Sequence, residues 1–254
     1  MDDLQLLIDL HKDAMRQGPG GDDETRLAVT LSGLRGKPNL KIADIGCGSG
    51  ASTLILAEEL DAHITAVDFL PEFLTQLARA AEQAGLQNRI TLLAQSMDAL
   101  PFKVEELDAI WSEGAIYNMG FEAGIKAWRP FLKPGGILAV SELTWLTSVR
   151  PAELQAHWDR EYSEVDTASA KMALLEKQGF SPIGYFVLPE QCWLDHYYRP
   201  MQQRFSRFLE AHTYSDAAKA IVASEEAEIA LYERYRTFVS YGYYIARKSD
   251  RFVG

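Results

Sequence analysis

The chain is poor in metal-binding and cross-linking residues. It has two cysteines, Cys47 and Cys192, and five histidines. Cysteines that far apart form neither a disulfide framework nor a metal site by spacing. The histidines do not cluster either, so no metal is expected, and a reducing cytoplasm is the expected compartment. Long apolar runs are missing: nothing approaches the roughly 18 residues of a membrane span. The start, Met1-Asp2-Asp3-Leu4, is acidic and lacks the basic opening of a signal peptide. Clustered positive charge is missing as well. With 25 Lys and Arg against 36 Asp and Glu, the formal net charge is −11. Binding to a phosphate backbone needs clustered cations, but Arg199, Arg204 and Arg207 are spread along one expected helix. Nucleic acid and membrane are therefore excluded as expected partners. A small-molecule substrate remains, with a homodimer as an admitted assembly.

What is present is ordinary globular composition, 47% hydrophobic and 24% charged. The pattern predicts an amphipathic helix over 2–17, with Leu4, Leu7, Ile8 and His11 on one face. Gly18-Pro19-Gly20-Gly21 breaks it. A second helix, 24–34, capped by Asp22 or Asp23, carries Leu27, Leu31 and Leu34. From residue 40 a β–α alternation runs for over a hundred residues. Strands are expected at 40–45, 63–67, 90–94, 107–112 and 137–143, with helices at 51–60, 71–84 and 121–132. Such alternation means βαβ units and a parallel sheet. Helices follow near 151–162 and from Asp166-Thr167 to Gly179, then a strand at 180–188. A long helical region from Pro189 to Tyr235 is expected to break near Pro200 and between His212 and Ser215. A last strand spans 238–246. The whole reads as one domain: an N-terminal helical lid (1–36), a core sheet (37–189 and 237–248) and a helical insertion (190–236).

The chain is organised around Ala43-Asp44-Ile45-Gly46-Cys47-Gly48-Ser49-Gly50, a strand end, a glycine turn and a helix start. Such a turn lets a ligand press against bare backbone and places it near a helix N-terminus. Two ligand classes use it. Gly46-x-Gly48-x-x-Ala51 matches a relaxed dinucleotide fingerprint. Asp44-x-Gly46-x-Gly48-x-Gly50 matches the pattern for S-adenosylmethionine. Electrostatics separates them, because Asp44 would repel a pyrophosphate and attract an ammonium or sulfonium cation.

Asp68 ends the second expected strand. An acid there can accept two hydrogen bonds from a ribose diol; its competing role is to cap the 71–84 helix. Ser96-Met97-Asp98 follows the third strand. Asp98 there suits an adenine amine and Met97 the ring face, while a plain polar turn is the competing role.

At these three positions the sequence resembles the class I S-adenosylmethionine-dependent methyltransferases. Leu100-Pro101-Phe102, Leu107-Asp108-Ala109-Ile110 and Leu132-Lys133-Pro134-Gly135-Gly136 resemble later landmarks of the group related to ubiquinone-biosynthesis methyltransferases. The resemblance implies an α/β, doubly wound, Rossmann-like seven-stranded sheet of order 3-2-1-4-5-7-6, the last strand antiparallel. It implies S-adenosyl-L-methionine as cofactor and in-line transfer of its methyl group to a small-molecule acceptor. The expected cofactor residues are Asp44, Gly46, Gly48, Gly50, Asp68, Phe69, Ser96, Met97, Asp98 and Glu113. Strand four runs into Ser112-Glu113-Gly114-Ala115-Ile116-Tyr117-Asn118, without the Asn/Asp-Pro-Pro-Tyr/Phe string of the branch that methylates nucleobases and glutamine amides.

Ligands of open parallel sheets sit beyond the carboxyl ends of the strands. That location nominates Glu113, Glu142 and His196 as candidate bases, and Tyr117, Asn118, Trp145 and Tyr197 as acceptor contacts, with His196-Tyr197-Tyr198 closing over the pocket. Gly18-Pro19-Gly20-Gly21 and Thr25 are expected to form a lid over the methionine end. Two alternatives are carried forward: an NAD-linked oxidoreductase, and a non-catalytic S-adenosyl-ligand binder.

Overall fold

The computed structural model of the chain describes residues 3–249. Two helices open it, α1 (Asp3–His11) and α2 (Asp22–Ser32). The alternation then runs β1 (Leu40–Ile45), α3 (Ala51–Glu59), β2 (Ala62–Asp68), α4 (Pro71–Gln83), β3 (Ile90–Ala94), β4 (Leu107–Glu113), α5 (Phe121–Trp128) and β5 (Leu132–Trp145). After β5 come α6 (Ala152–Glu161), the short β6 (Asp166–Thr167), α7 (Ala168–Lys177) and β7 (Phe180–Val187). The insertion comprises α8 (Glu190–Trp193), α9 (Arg199–Ala211) and α10 (Asp216–Tyr235), and β8 (Val239–Lys248) closes the sheet.

The sheet runs β3-β2-β1-β4-β5-β8-β7, with β6 paired to the end of β5. Apart from β8, antiparallel to both β5 and β7, its strand pairs are parallel. The expected order is thus observed, with one two-residue strand added. Helices cover both faces, so β1 is buried at every position but Lys41. One core cluster, around Trp111, Tyr243 and Ile245, lies on the face of α2, α3 and the insertion. The other, around Ile110, Phe121 and Tyr244, lies on the face of α5 and α7.

Several boundaries follow sequence chemistry. Pro71 opens α4 in its first turn, where its missing N–H is an orphan anyway. Thr167 caps α7, its side chain accepting from the Ala170 amide.

Four expectations need correction. Helix α1 is shorter than 2–17, and the face it buries is Leu6, Ile8 and Leu10, while Leu4 and Leu7 are exposed. That face packs on α9 and α10, partners the local pattern cannot reveal. Helix α2 starts at Asp22 on a Gly21 cap, without a side-chain cap bond. Its buried stripe is Thr25, Ala28, Val29 and Ser32, while Leu27 and Leu31 are exposed. Small residues let α2 approach α3 and the sheet closely, so the stripe is weakly hydrophobic. Pro200 does not break the insertion: α8 runs through a π turn (Leu194–Tyr198) into α9, and Pro200 sits in the first turn of α9. Finally, β5 starts at Leu132, so Lys133-Pro134-Gly135-Gly136 lies within the strand's irregular start.

Candidate active site

The glycine turn follows β1 directly. Gly46, Gly48 and Gly50 have φ of 73°, 53° and 88°, the left-handed region that favours glycine. Gly50 is also the cap of α3, and a Cβ there would overlap the Leu77 side chain. Every amide in the turn is already used. Gly46 and Cys47 donate to the Val67 carbonyl at 2.8 and 3.0 Å, and Gly50 donates to the Cys47 carbonyl at 2.9 Å. Gly48 donates to Asp68 Oδ2 and Ser49 to Gln17 Oε1, both at 2.9 Å. The turn is therefore braced rather than open as a phosphate nest.

Asp44 lies beneath this turn. Ser52 and Thr53 hydroxyls donate to its Oδ2 at 2.8 and 2.6 Å, while Oδ1 is buried without a hydrogen-bond partner. Burial lifts its carboxyl to about 7, and the nearby Glu113 and Asp68 charges add to the lift. Asp68 accepts from Gly48 through Oδ2 and from the Leu70 amide through Oδ1, at 2.9 Å each. It is thus both a turn brace and a local acceptor ahead of α4. Each of its oxygens keeps a second accepting site. Burial raises this carboxyl also.

Beyond the carboxyl ends of β1 to β4 lies a cavity of about 460 Å3. That is within the range of roughly 300–1,000 Å3 common for small-molecule sites. The sheet order arranges its wall. Ser96, Met97 and Asp98 from the end of β3 come first, next Asp68 and Phe69 from β2, then Gly46 and Gly48. Glu113 from β4 stands at the far end, with Tyr117 and Asn118 beside it. Trp128 Nε1 donates to the Met97 carbonyl at 3.0 Å and holds the 96–98 turn from behind.

Glu113 is gripped by four donors. Thr25 Oγ1, Trp111 Nε1 and Tyr243 OH reach its Oε1 at 2.8, 3.0 and 3.0 Å, and Arg16 Nη1 reaches Oε2 at 3.3 Å. Two of these, Thr25 and Arg16, come from the N-terminal segment. Oε1 is thereby filled, while Oε2, with one donor, keeps an accepting site that suits a cation.

Several nominated residues are placed elsewhere. Asp44 and Gly50 support the turn from outside the cavity wall. Glu142 lies on the opposite face of the sheet from Glu113. The strand neighbour of Glu113 is Ser141, and side chains alternate along a strand, so residue 142 points toward α7. There it is 1% exposed, with Lys171 Nζ 3.9 Å from its Oε1. Trp145 is buried and also away from the cavity wall. His196 and Tyr197 face a second cavity, of about 680 Å3, on the far side of the N-terminal segment. His196 Nδ1 pairs with the Gly20 carbonyl at 2.8 Å, and Tyr197 stacks on His11. The wall also contains residues that strand-end reasoning does not find: Arg16, Gln17 and Gln95. The signal for the first two was the glycine-rich break just after them. Among the described residues no cluster of metal-ligating side chains occurs.

The braced turn, Asp68, the 96–98 turn and Glu113 thus line one cavity beyond the strand ends. A methyltransferase-domain family model matches residues 42–136. Over those residues the chain is similar to methyltransferase domains, and the polar groups of the cavity wall suit S-adenosylmethionine. It is 32% identical to a sterol 24-C-methyltransferase of Gibberella zeae over 114 residues, 43% of this chain but 29% of that protein. It is 28% identical to the uncharacterized protein YjhP of Escherichia coli, over 85% of this chain and 86% of that one. A methyltransferase structure from Geobacter sulfurreducens, in complex with S-adenosyl-L-homocysteine, shares the fold, with a TM-score of 0.82 at 18% identity, covering 95% of this chain and 97% of that one. The NAD-linked alternative finds no support: the turn has no unpartnered amide for a pyrophosphate, and three carboxylates, Asp44, Asp68 and Glu113, surround it. Nor does the non-catalytic alternative find any. No helix among the described residues is long and apolar enough to cross a membrane.

Proposed function

We propose that the chain methylates a small molecule held against Tyr117 and Asn118, at the β4 end of the cavity. The observation that carries this reading is the ordered wall from Ser96–Asp98 through Asp68 to Glu113. Its polar groups suit, in turn, an adenine, a ribose diol and an ammonium group. Met97 and Phe69 would pack on the adenine faces, Asp68 would take the diol through its free accepting sites, and Glu113 would take the ammonium. S-adenosylmethionine supplies an electrophilic methyl carbon on a sulfonium; the chain's own task is to align an acceptor behind that carbon. Tyr117 and Asn118 are the acceptor contacts of this reading.

None of the three candidate bases is well placed for the step. Glu113 has Oε1 filled by three donors and Oε2 assigned to the ammonium, Glu142 is on the other face, and His196 holds Gly20. The reading is therefore catalysis by positioning, with an acceptor that is a competent nucleophile when bound. In this arrangement residues 3–36 act as a lid and 190–236 as an insertion capping it. Two buried, unbridged cysteines support a reducing cytoplasmic setting. The acidic net charge supports a small-molecule acceptor over a nucleic acid.

Calorimetric titration with S-adenosylhomocysteine and with NAD tests the cofactor half. Tight NAD binding with no adenosyl-ligand signal would end this reading. Release of S-adenosylhomocysteine on adding fractionated metabolite extract tests the transfer half; silence across broad extracts would favour a binding protein.

A further inference from the structure

The hydroxyl of Tyr241 stands at the β4 end of the cavity without a partner. Strand β8 runs antiparallel to β5 and pairs Tyr243 with Ser141 and Tyr241 with Leu143. Side chains two residues apart share a face. Tyr241 therefore lies on the face of Tyr243, whose hydroxyl donates to Glu113 Oε1 at 3.0 Å. It sits one step nearer the carboxyl end of β5, and so further out toward the cavity. Gly114 forms the wall in front of it, with φ of 62° and its amide donating to Ser141 Oγ at 2.8 Å. A Cβ on Gly114 would meet Tyr241 Cε2 at 3.4 Å and its hydroxyl oxygen at 3.7 Å. The glycine thus leaves the polar edge of Tyr241 within reach of a ligand. Tyr241 is 9% exposed, and its hydroxyl has no hydrogen-bond partner among the described residues.

The surroundings offer oxygens that accept and carry negative charge. Burial raises the Tyr241 hydroxyl well above the phenol range, and the neighbouring Tyr117, Glu142, Tyr197 and Glu228 add to the rise, so it stays a neutral phenol. Asn118 donates through Nδ2 to the Ala115 carbonyl at 2.9 Å, which leaves its Oδ1, a group that can only accept. Asp68, Asp98 and Glu113 make the cavity wall acidic. Among the described residues its one basic side chain is Arg16, already bonded to Glu113 and Asp22.

We infer that the methyl acceptor is a primary or secondary amine whose N–H donates to the Tyr241 oxygen. The inference rests on the function proposed above. An alcohol, phenol or thiol must give up its proton to become a strong nucleophile. The resulting anion would face Glu113, with no well-placed base to form it and no free cation to hold it. A carbon acceptor needs a base to remove a proton after attack. An amine needs neither, because its nitrogen carries a lone pair while neutral. That lone pair forms the new C–N bond as the C–S bond breaks, and the C–S electron pair stays on sulfur. Positive charge thus moves from sulfur to nitrogen, a shift that the surrounding carboxylates favour. The methylated ammonium loses its N–H proton to water after release. An N–H held by Tyr241, and in a primary amine a second one held by Asn118 Oδ1, fixes the direction of the lone pair.

The test uses the full chain, S-adenosylmethionine and metabolite extract acetylated with N-hydroxysuccinimidyl acetate. Hydroxylamine then cleaves the O- and S-acetyl products and leaves the N-acetyl groups, and both reagents are removed. An acetylated nitrogen has its lone pair tied up in amide resonance, so release of S-adenosylhomocysteine should fall to background. Extract taken through hydroxylamine alone should keep its activity. Release that survives acetylation would overturn the amine assignment. With the active fraction of untreated extract, Tyr241→Phe should lower kcat/KM for the acceptor roughly 3- to 10-fold and leave S-adenosylhomocysteine affinity within about twofold. Unchanged acceptor kinetics in that variant would overturn the role of the hydroxyl. So would an equal loss of S-adenosylhomocysteine affinity, which would make Tyr241 a structural part of the wall. Silence of the untreated extract would overturn the function proposed above, and this inference with it.

Discussion

Asp44 yields a pH signature whose sign follows from its burial. Its carboxyl rises from an ordinary 3.8 to about 7, first because of burial and then because Glu113 and Asp68 lie near, against the Thr53 and Ser52 hydrogen bonds. An acid raised this way binds more protons in the folded chain than in the unfolded one. Its contribution to stability is therefore fullest below about pH 4 and is lost as pH rises toward about 7. At about 1.4 kcal/mol per pH unit, the ceiling on that loss is about 4 kcal/mol, of which about 3 kcal/mol falls between pH 5 and 8. Asp44→Asn keeps the shape and one oxygen for Ser52 and Thr53, but turns an amide donor toward the unpartnered Oδ1 position. A fixed cost of about 1–3 kcal/mol follows from that donor. Relative to wild type the variant should therefore gain about 3 kcal/mol from pH 5 to pH 8 and be the more stable chain at pH 8. Urea denaturation at constant ionic strength measures both. Glu142 and Glu225, raised to about 7 by burial, titrate in both chains and cancel in the difference. A difference between wild type and variant that is flat from pH 5 to 8 would refute the reasoning.

Three further outcomes are expected. Gly50→Ala should lower the unfolding free energy by about 2–4 kcal/mol, from positive-φ strain plus overlap with Leu77; a thermal melt within a degree of wild type would contradict the packing account. Asp68→Ala should weaken S-adenosylhomocysteine binding by about 1.5–3 kcal/mol for each charged hydrogen bond lost, and unchanged affinity would leave Asp68 only its bonds to Gly48 and Leu70. Lys171→Met strands Glu142 in the α5–α7 face and should cost about 3–5 kcal/mol at pH 8, less at pH 6, where the raised Glu142 carboxyl is largely protonated. The pair Glu142→Gln with Lys171→Met should restore most of that stability and leave turnover in place. A collapse of turnover in a stably folded double variant would return Glu142 to the reaction.

The alternation of short strands and helices was enough to show βαβ units and a parallel sheet, and the resemblance carried by Asp44 to Gly50, Asp68 and the 96–98 turn implied the strand order and the cofactor class. Those features are local: strand period, turn glycines and the chemistry of the residue that follows each strand. What the sequence could not order was everything that depends on which face a side chain takes and which distant segment covers it. Glu113 and Glu142 look equivalent as acids ending neighbouring strands. Only the pairing of Glu113 with Ser141 puts them on opposite faces. His196 looks like a base in an aromatic run, yet the fold makes it a hydrogen-bond partner for Gly20. Arg16 and Gln17 carry no motif at all. Their position over the glycine turn exists only because α1 packs on the insertion and the glycine-rich break turns the chain back across the carboxyl edge of the sheet. Such contacts join residues that local periodicity cannot connect, so the tertiary structure alone decided them.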